Sequence, residues 1–204
     1  DGLSGIATCS TAGVLSTEAA NQSVSGTCTD VAGNVSAPAV RGGINIDLTA
    51  PAINLVTPGN ASQYPRNAAV LANFACTDGL SGLASCTAPI ASGQPLATGS
   101  LGNFLFAVQA ADIAGNTSTV EHGYSVTDAS APIVTPNVAG TLGLNGWYTS
   151  NVTVTWNVSD PETGITSTTG CDPVTISTDT DGQALTCSAT SAGGTTTETV
   201  TVKR

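Results

Sequence analysis

The 204 residues carry a net charge of −10, although only 9% are charged; 40% are apolar and 4% aromatic. That apolar content excludes a disordered chain. Four basic residues, Arg41, Arg66, Lys203 and Arg204, exclude the positive surface that nucleic acid or an anionic membrane requires, and no apolar run is long enough to span a membrane.

With so few aromatics, the core must be built from Val, Ile, Leu and Ala. Apolar residues do not recur at helical spacing, and Ser, Thr, Gly and Asn favour short strands and turns. In chain order, the first feature is Asp1-Gly2-Leu3-Ser4-Gly5-Ile6-Ala7-Thr8-Cys9, read as a turn in which glycines supply positive φ and the Asp accepts backbone hydrogen bonds. Asp30-Val31-Ala32-Gly33-Asn34 reads as a tight hairpin with Gly and Asn in left-handed positions. Asp47-Leu48-Thr49-Ala50-Pro51 marks a joint. Residues 69–76 form a predicted strand. A second copy of the turn, Asp78-Gly79-Leu80-Ser81-Gly82-Leu83-Ala84-Ser85-Cys86, follows it. The spacing predicts strands over 104–110 and 117–126, with Asp112-Ile113-Ala114-Gly115-Asn116 as the hairpin between them. Asp128-Ala129-Ser130-Ala131-Pro132 repeats the joint. Residues 151–158 alternate with period two, placing Val152, Val154, Trp156 and Val158 on one face. Asp160-Pro161-Glu162-Thr163-Gly164-Ile165 is a looser third turn. Strands over 184–189 and 195–203 flank Ser191-Ala192-Gly193-Gly194 in the hairpin position.

The motifs recur in one order with a period of about 80 residues, a size suited to a small sandwich. The joints divide the chain into the C-terminal part of a repeat (1–48), a complete repeat (49–129) and a second complete repeat (130–204). The expected fold is all-β: tandem antiparallel β-sandwiches of about seven short strands, the first unit incomplete and lacking its first two strands. The chain has no Met and opens inside a motif, so it reads as an excerpt of a longer mature protein.

Six cysteines, two per unit, read as disulfides and therefore as an oxidising, extracellular compartment. Alignment of the repeats pairs Cys9 with Cys28 and Cys171 with Cys187. The counterpart of Cys28 in the second unit is Ala110, so Cys86 is expected to pair with Cys76, which stands where the third unit has Val158. One anchor with two alternative partners implies that the three positions lie close together.

Catalysis finds no support. The sole histidine, His122, reads as a strand surface residue, and no serine sits in a Gly-x-Ser-x-Gly elbow. The acid pairs Asp179/Asp181 and Asp160/Glu162 read as turn residues rather than as carboxylates flanking a cleft. The cysteine spacings do not match a zinc site. Calcium is the metal the acids suit, since it takes oxygen ligands, and the candidate ligands are Asp47 and Asp128 at the joints with Asp78 and Asp160 from neighbouring turns. Lys203 is the sole lysine, which excludes lysine–asparagine isopeptide cross-links. Asn21, Asn34, Asn60, Asn116, Asn151 and Asn157 head Asn-x-Ser/Thr sequons, a density expected by chance in such a composition. Trp147 and Tyr148 are expected to cover one end of the core.

The Asp-x-Ala-Gly-Asn and Asp-Gly-Leu-Ser-Gly motifs and the Asp-x-Thr-Ala-Pro joint resemble the bacterial immunoglobulin-like tandem repeats of large extracellular surface proteins and adhesins. The resemblance spans essentially the whole chain and implies an immunoglobulin-like sandwich and a spacer role. The third unit departs from the pattern, since its hairpin lacks Asp and Asn. The reading is therefore a structural spacer of a cell-surface or fibre-forming protein, whose partners are neighbouring repeats or copies of itself. The alternatives are a subunit of a filament assembled by β-strand complementation and an adhesin module binding a glycan or protein.

Overall fold

A computed structural model describes residues 2–11 and 13–204; Asp1, which opens the first turn motif, lies outside the described residues. The chain is all-β, with no helix among the described residues. Residues 2–48 contribute β1 (Ile6–Cys9), β2 (Ala19–Gly26), β3 (Cys28–Asp30) and β4 (Ala39–Ile46). Residues 49–129 contribute β5 (Ala52–Thr57), β6 (Ser62–Pro65), β7 (Asn73–Thr77), β8 (Leu83–Thr87), β9 (Gly102–Asp112) and β10 (Thr117–Thr127). Residues 130–204 contribute β11 (Ile133–Ala139), β12 (Val152–Ser159), β13 (Ser167–Thr169), β14 (Val174–Ile176), β15 (Gln183–Ser191) and β16 (Gly194–Val202).

By packing, the chain forms two compact units. One comprises Asp1–Asn60, Leu71–Pro95 and Leu105–His122; the other comprises Ala61–Val70, Leu96–Phe104 and Gly123–Arg204. In the first, β1 pairs with β3, β2 with β4, β5 with β7 and β8 with β9, all antiparallel. Its buried apolar side chains include Leu55, Ala72, Phe106, Val108 and Ala110, with Phe74 tilted against Phe106 at 6.1 Å between ring centroids. All of them belong to residues 49–129. No described residue of 2–48 is fully buried.

In the second unit, β11-β12-β14 and β13-β15-β16 form two three-stranded antiparallel sheets. They bury Val152, Val154 and Ile176 from one sheet against Val202 from the other, and Val134 against Cys187 and Ala189. This two-layer packing is how sheets with one apolar face each satisfy both. Val152 and Val154 have no exposure at all, and burying each contributes about 1.5–3 kcal/mol. The other two members of that alternating face, Trp156 and Val158, pack around the same clusters half-buried. The end of β10 pairs in parallel with β6, Tyr124 opposite Ser62, and Tyr124 stacks on Phe104 at 5.3 Å.

Two local expectations are corrected. The strand predicted from residue 69 begins at Asn73. Before it, the Ala72 amide bonds Gln94 O and Leu71 bridges Pro95, so this stretch is held by the 91–96 loop. Of the two residues expected to cap the core, Tyr148 packs on it, but Trp147 remains 41% exposed beside the Asn145-Gly146 turn. Both turn residues have positive φ, 56° and 79°, and this tight reversal carries the indole outward.

Candidate functional site at the two linkers

The recurrent turns place carboxylates against backbone amides. Asp78 Oδ1 accepts the Gly82 amide at 2.7 Å and the Leu80 amide at 3.2 Å, and Gly82 takes a φ of 85° to close that loop. In the hairpin, Asp112 Oδ1 accepts from the Gly115 and Asn116 amides, while the Asn116 side chain returns a bond to Asp112 Oδ2 at 2.7 Å. Asp30 and Asn34 make the same pair at 2.7 and 2.8 Å. Gly33 and Gly115 adopt the positive φ, whereas the asparagines do not. The motif therefore needs its Asn as a donor to the Asp.

The predicted joints, residues 47–51 and 128–132, are both fastened to these turns. At the first, Asp47 Oδ2 accepts the Ser81 amide at 2.8 Å and Oδ1 accepts the Thr49 amide at 3.1 Å. The Asn116 side chain also donates to Asp47 O, the Ser118 hydroxyl to Pro51 O, and the Thr49 hydroxyl to Glu18. At the second linker, the Thr163 hydroxyl donates to Asp128 Oδ2, the Ala129 amide to Glu162 Oε2 at 2.7 Å, and the Ser130 amide to Asp128 Oδ1 at 3.0 Å. Gly193 lies so close to this linker that a methyl group on it would run into Ser130 O and Asp128. That approach explains why the third hairpin has glycine where the second has Ala114.

These bonds favour the charged carboxylates. Ser81, through its hydroxyl and then its amide, holds Asp47 below the usual carboxylate range, and Thr163 does the same for Asp128. The Thr163 and Glu162 amides lower Asp160, against desolvation and the like negative charge of Asp128. Asn34 lowers Asp30.

Of the four aspartates expected to serve calcium, Asp47 and Asp78 come together in the first unit, with Asp112 as a third; oxygens of all three lie within 4.8 Å of one another. An open cleft of about 340 Å³ beside them is lined by Glu18, Asp47, Thr49, Asp78, Gly79 and Leu80. Asp128 and Asp160 lie in the second unit, where Ser191 stands in the place of Asp112 and Glu162 contributes a further carboxylate. Asp112 was legible only as a hairpin residue; no signal in the hairpin or joint motif ties it to Asp47. The ligand chemistry suits a hard cation, which prefers six to eight oxygens; the hydrogen bonds already made suit a clasp that needs no ion.

Disulfides join Cys9–Cys28, Cys76–Cys86 and Cys171–Cys187, with sequence separations of 19, 10 and 16. Cys86 lies opposite Ala110 in the β8–β9 ladder, as Cys9 lies opposite Cys28 in β1–β3. The same anchor therefore turns to a different neighbour in 49–129. His122 Nδ1 lies 2.7 Å from Pro58 O, and Asp179 pairs with Arg204 at 2.8 Å. Asp160 and Glu162 are engaged by the turn and the linker described above.

No sequence-family profile and no curated protein matches the chain. Among solved structures, it is similar to the Clostridium thermocellum CbhA fibronectin(III)-like modules: 10% identity, TM-score 0.32, covering 74% of this chain and 93% of that one. It is also similar to extracellular domains 3–5 of Drosophila OTK, at 12% identity and TM-score 0.36, covering 90% and 70%. A third is Protocadherin Gamma B2 extracellular cadherin domains 3–6, at 13% identity and TM-score 0.36, covering 90% of this chain and 59% of that one. At these scores the likenesses carry no argument about this chain.

Proposed function

We propose that this chain is a structural spacer segment of an extracellular multi-repeat protein, built from repeats at 1–48, 49–129 and 130–204 whose linkers are clasped rather than free. The supporting observation is the repetition of one device. A linker aspartate, Asp47 or Asp128, accepts from the turn that follows β7 or β12 of the next repeat, at Ser81 or Thr163. A connector without this clasp would bend under load, whereas engaged carboxylates and a proline-containing linker restrict it. Two disulfide-bearing repeats in sequence with a third cystine suit a compartment that oxidises thiols, and no catalytic role is assigned.

Limited proteolysis of the full chain tests the clasp. In wild type, residues 47–51 and 128–132 should resist cleavage. Asp47→Ala should expose the first linker and Asp128→Ala the second, each without exposing the other. Rapid cleavage of both linkers in the wild-type protein would refute the reading. Run with EDTA, the wild-type protection should persist, because the clasp is hydrogen-bonded. Added calcium should slow cleavage of the first linker further through Asp47, Asp78 and Asp112.

A further inference from the structure

The connection from β11 to β12 reverses at Leu144-Asn145-Gly146-Trp147. Both central residues are left-handed, Asn145 at a φ of 56° and Gly146 at 79°. The reversal is closed by the Trp147 amide on Leu144 O at 3.2 Å and by the Gly143 amide on Trp147 O at 2.7 Å. Asn145 and Gly146 are both exposed. Among the described residues, neither the Asn145 side chain nor the Gly146 amide has a hydrogen-bond partner.

An asparagine loses its side-chain amide most readily when glycine follows it, since a residue without a Cβ leaves its own amide nitrogen open to close approach. Of the chain's thirteen asparagines, Asn145 is the only one that glycine follows. Three others show the opposite arrangement. Asn34, Asn116 and Asn151 precede Val35, Thr117 and Val152, each branched at Cβ. Their side chains are also tied: Asn34 to Asp30 at 2.8 Å, Asn116 to Asp112 at 2.7 Å and Asn151 to Arg204 at 3.0 Å. Ring closure at Asn145 requires its side chain to swing over the next peptide unit, so the residue must briefly leave the left-handed conformation. Little opposes that. Left-handed backbone is itself costly for a residue with a Cβ, and the bond to Leu144 O stands at the long end of the usual range.

We propose that Asn145 is a site of non-enzymatic deamidation, which makes the 144–147 reversal a slow, one-way switch of charge and register. Hydroxide takes the Gly146 amide proton, and the nitrogen attacks Asn145 Cγ. The N–Cγ bond forms, the Cγ–Nδ2 bond breaks, and Nδ2 leaves as ammonia with a proton from solvent. Water then opens the cyclic imide. Attack at Cγ restores the original backbone with an aspartate at 145. Attack at the main-chain carbonyl carbon of 145 leaves the chain running through Cβ, an isoaspartate. The net exchange is water in and ammonia out, with no change of oxidation state. Residues 129–159 contain no Asp, Glu, Lys, Arg or His, so either product places the first charge on this segment, beside the exposed Leu142 and Leu144. The isoaspartate also adds a backbone carbon to a two-residue loop, which then cannot keep Gly143 opposite Trp147. This inference is independent of the linker clasp and uses none of its residues.

The test ages the full chain in neutral and in mildly alkaline buffer and follows it by peptide mapping with mass spectrometry. Asn145 should convert about tenfold or more faster than any other asparagine, because its neighbour alone lacks a Cβ. Conversion should quicken at the higher pH and show the mass gain of OH for NH2 in a mixture of aspartyl and isoaspartyl peptides. Asn145→Gly keeps a reversal that glycine suits and removes the amide, so ammonia release should fall to the level set by the remaining asparagines. Hydrogen exchange reads the change of register. In the isoaspartyl fraction, separated by anion exchange, the Gly143 and Trp147 amides should lose about tenfold or more of their protection, those of β12 staying as in the fresh chain. Three results would each overturn the proposal: an intact Asn145 after other asparagines have converted, conversion with no isoaspartate, or isoaspartyl chains whose Gly143 and Trp147 amides stay protected.

Discussion

An aspartate that accepts only from its own turn shapes a loop; one that reaches a turn some thirty residues along the chain fixes a joint. Asp78 is of the first sort, Asp47 and Asp128 of the second; Asp30 accepts both from its own hairpin and from Ser4. Asp30, Asp47, Asp128 and Asp160 are all held below the ordinary carboxylate value by hydrogen bonds made in the folded chain. A depressed folded value adds stability that is complete above the unfolded value of about 4 and is lost as pH falls through the folded values. The melting temperature should therefore hold between about pH 5 and 7 and decline below about pH 4. Asp47→Asn and Asp128→Asn together should flatten that acid decline; an unchanged slope would mean that these carboxylates are not engaged in solution. The turn aspartates were legible because their motifs recur. The role of Asp112 beside Asp47 was not, because nothing local in either motif announces a partner so distant in sequence. Asn34 and Asn116 were assigned to left-handed backbone, a common use of asparagine in turns. Here glycine takes the conformation and asparagine ties the Asp.

At the scale of elements, period-two alternation gave β12 and its inward valines, and turn residues gave the hairpins. Alternation cannot tell a strand from an extended stretch held by a loop, which is why the strand over 69–76 begins late, where pairing with β5 starts. Nor does a Trp-Tyr pair reveal which ring points inward; the Asn145-Gly146 reversal decides that for Trp147. The cystines act at this scale too. Cys76–Cys86 closes the loop that carries the Asp78 turn and ties β7 to β8, strands that are not neighbours in a ladder. Replacing both with serine should lower stability by about 2–3 kcal/mol in denaturant unfolding, chiefly by freeing the unfolded chain. A loss under about 0.5 kcal/mol would show that residual structure already constrains that loop.

For the whole molecule, three motifs keep one order along the sequence, and both Asp-x-Ala-Gly-Asn copies fold into the same Asp–Asn hairpin. Among the described residues, 2–48 bury no side chain fully, whereas 130–204 enclose Val152, Val154, Ile176 and Val202 between two sheets. In linear arrays, stability is close to a sum of repeat terms and nearest-neighbour terms, so clasped linkers should make neighbouring repeats melt together. Differential scanning calorimetry of the full chain, compared with the Asp47→Ala/Asp128→Ala double variant, reads that coupling directly. Clasped joints predict one coupled transition in wild type that separates into distinct transitions in the double variant; the same thermogram from both proteins would contradict the account.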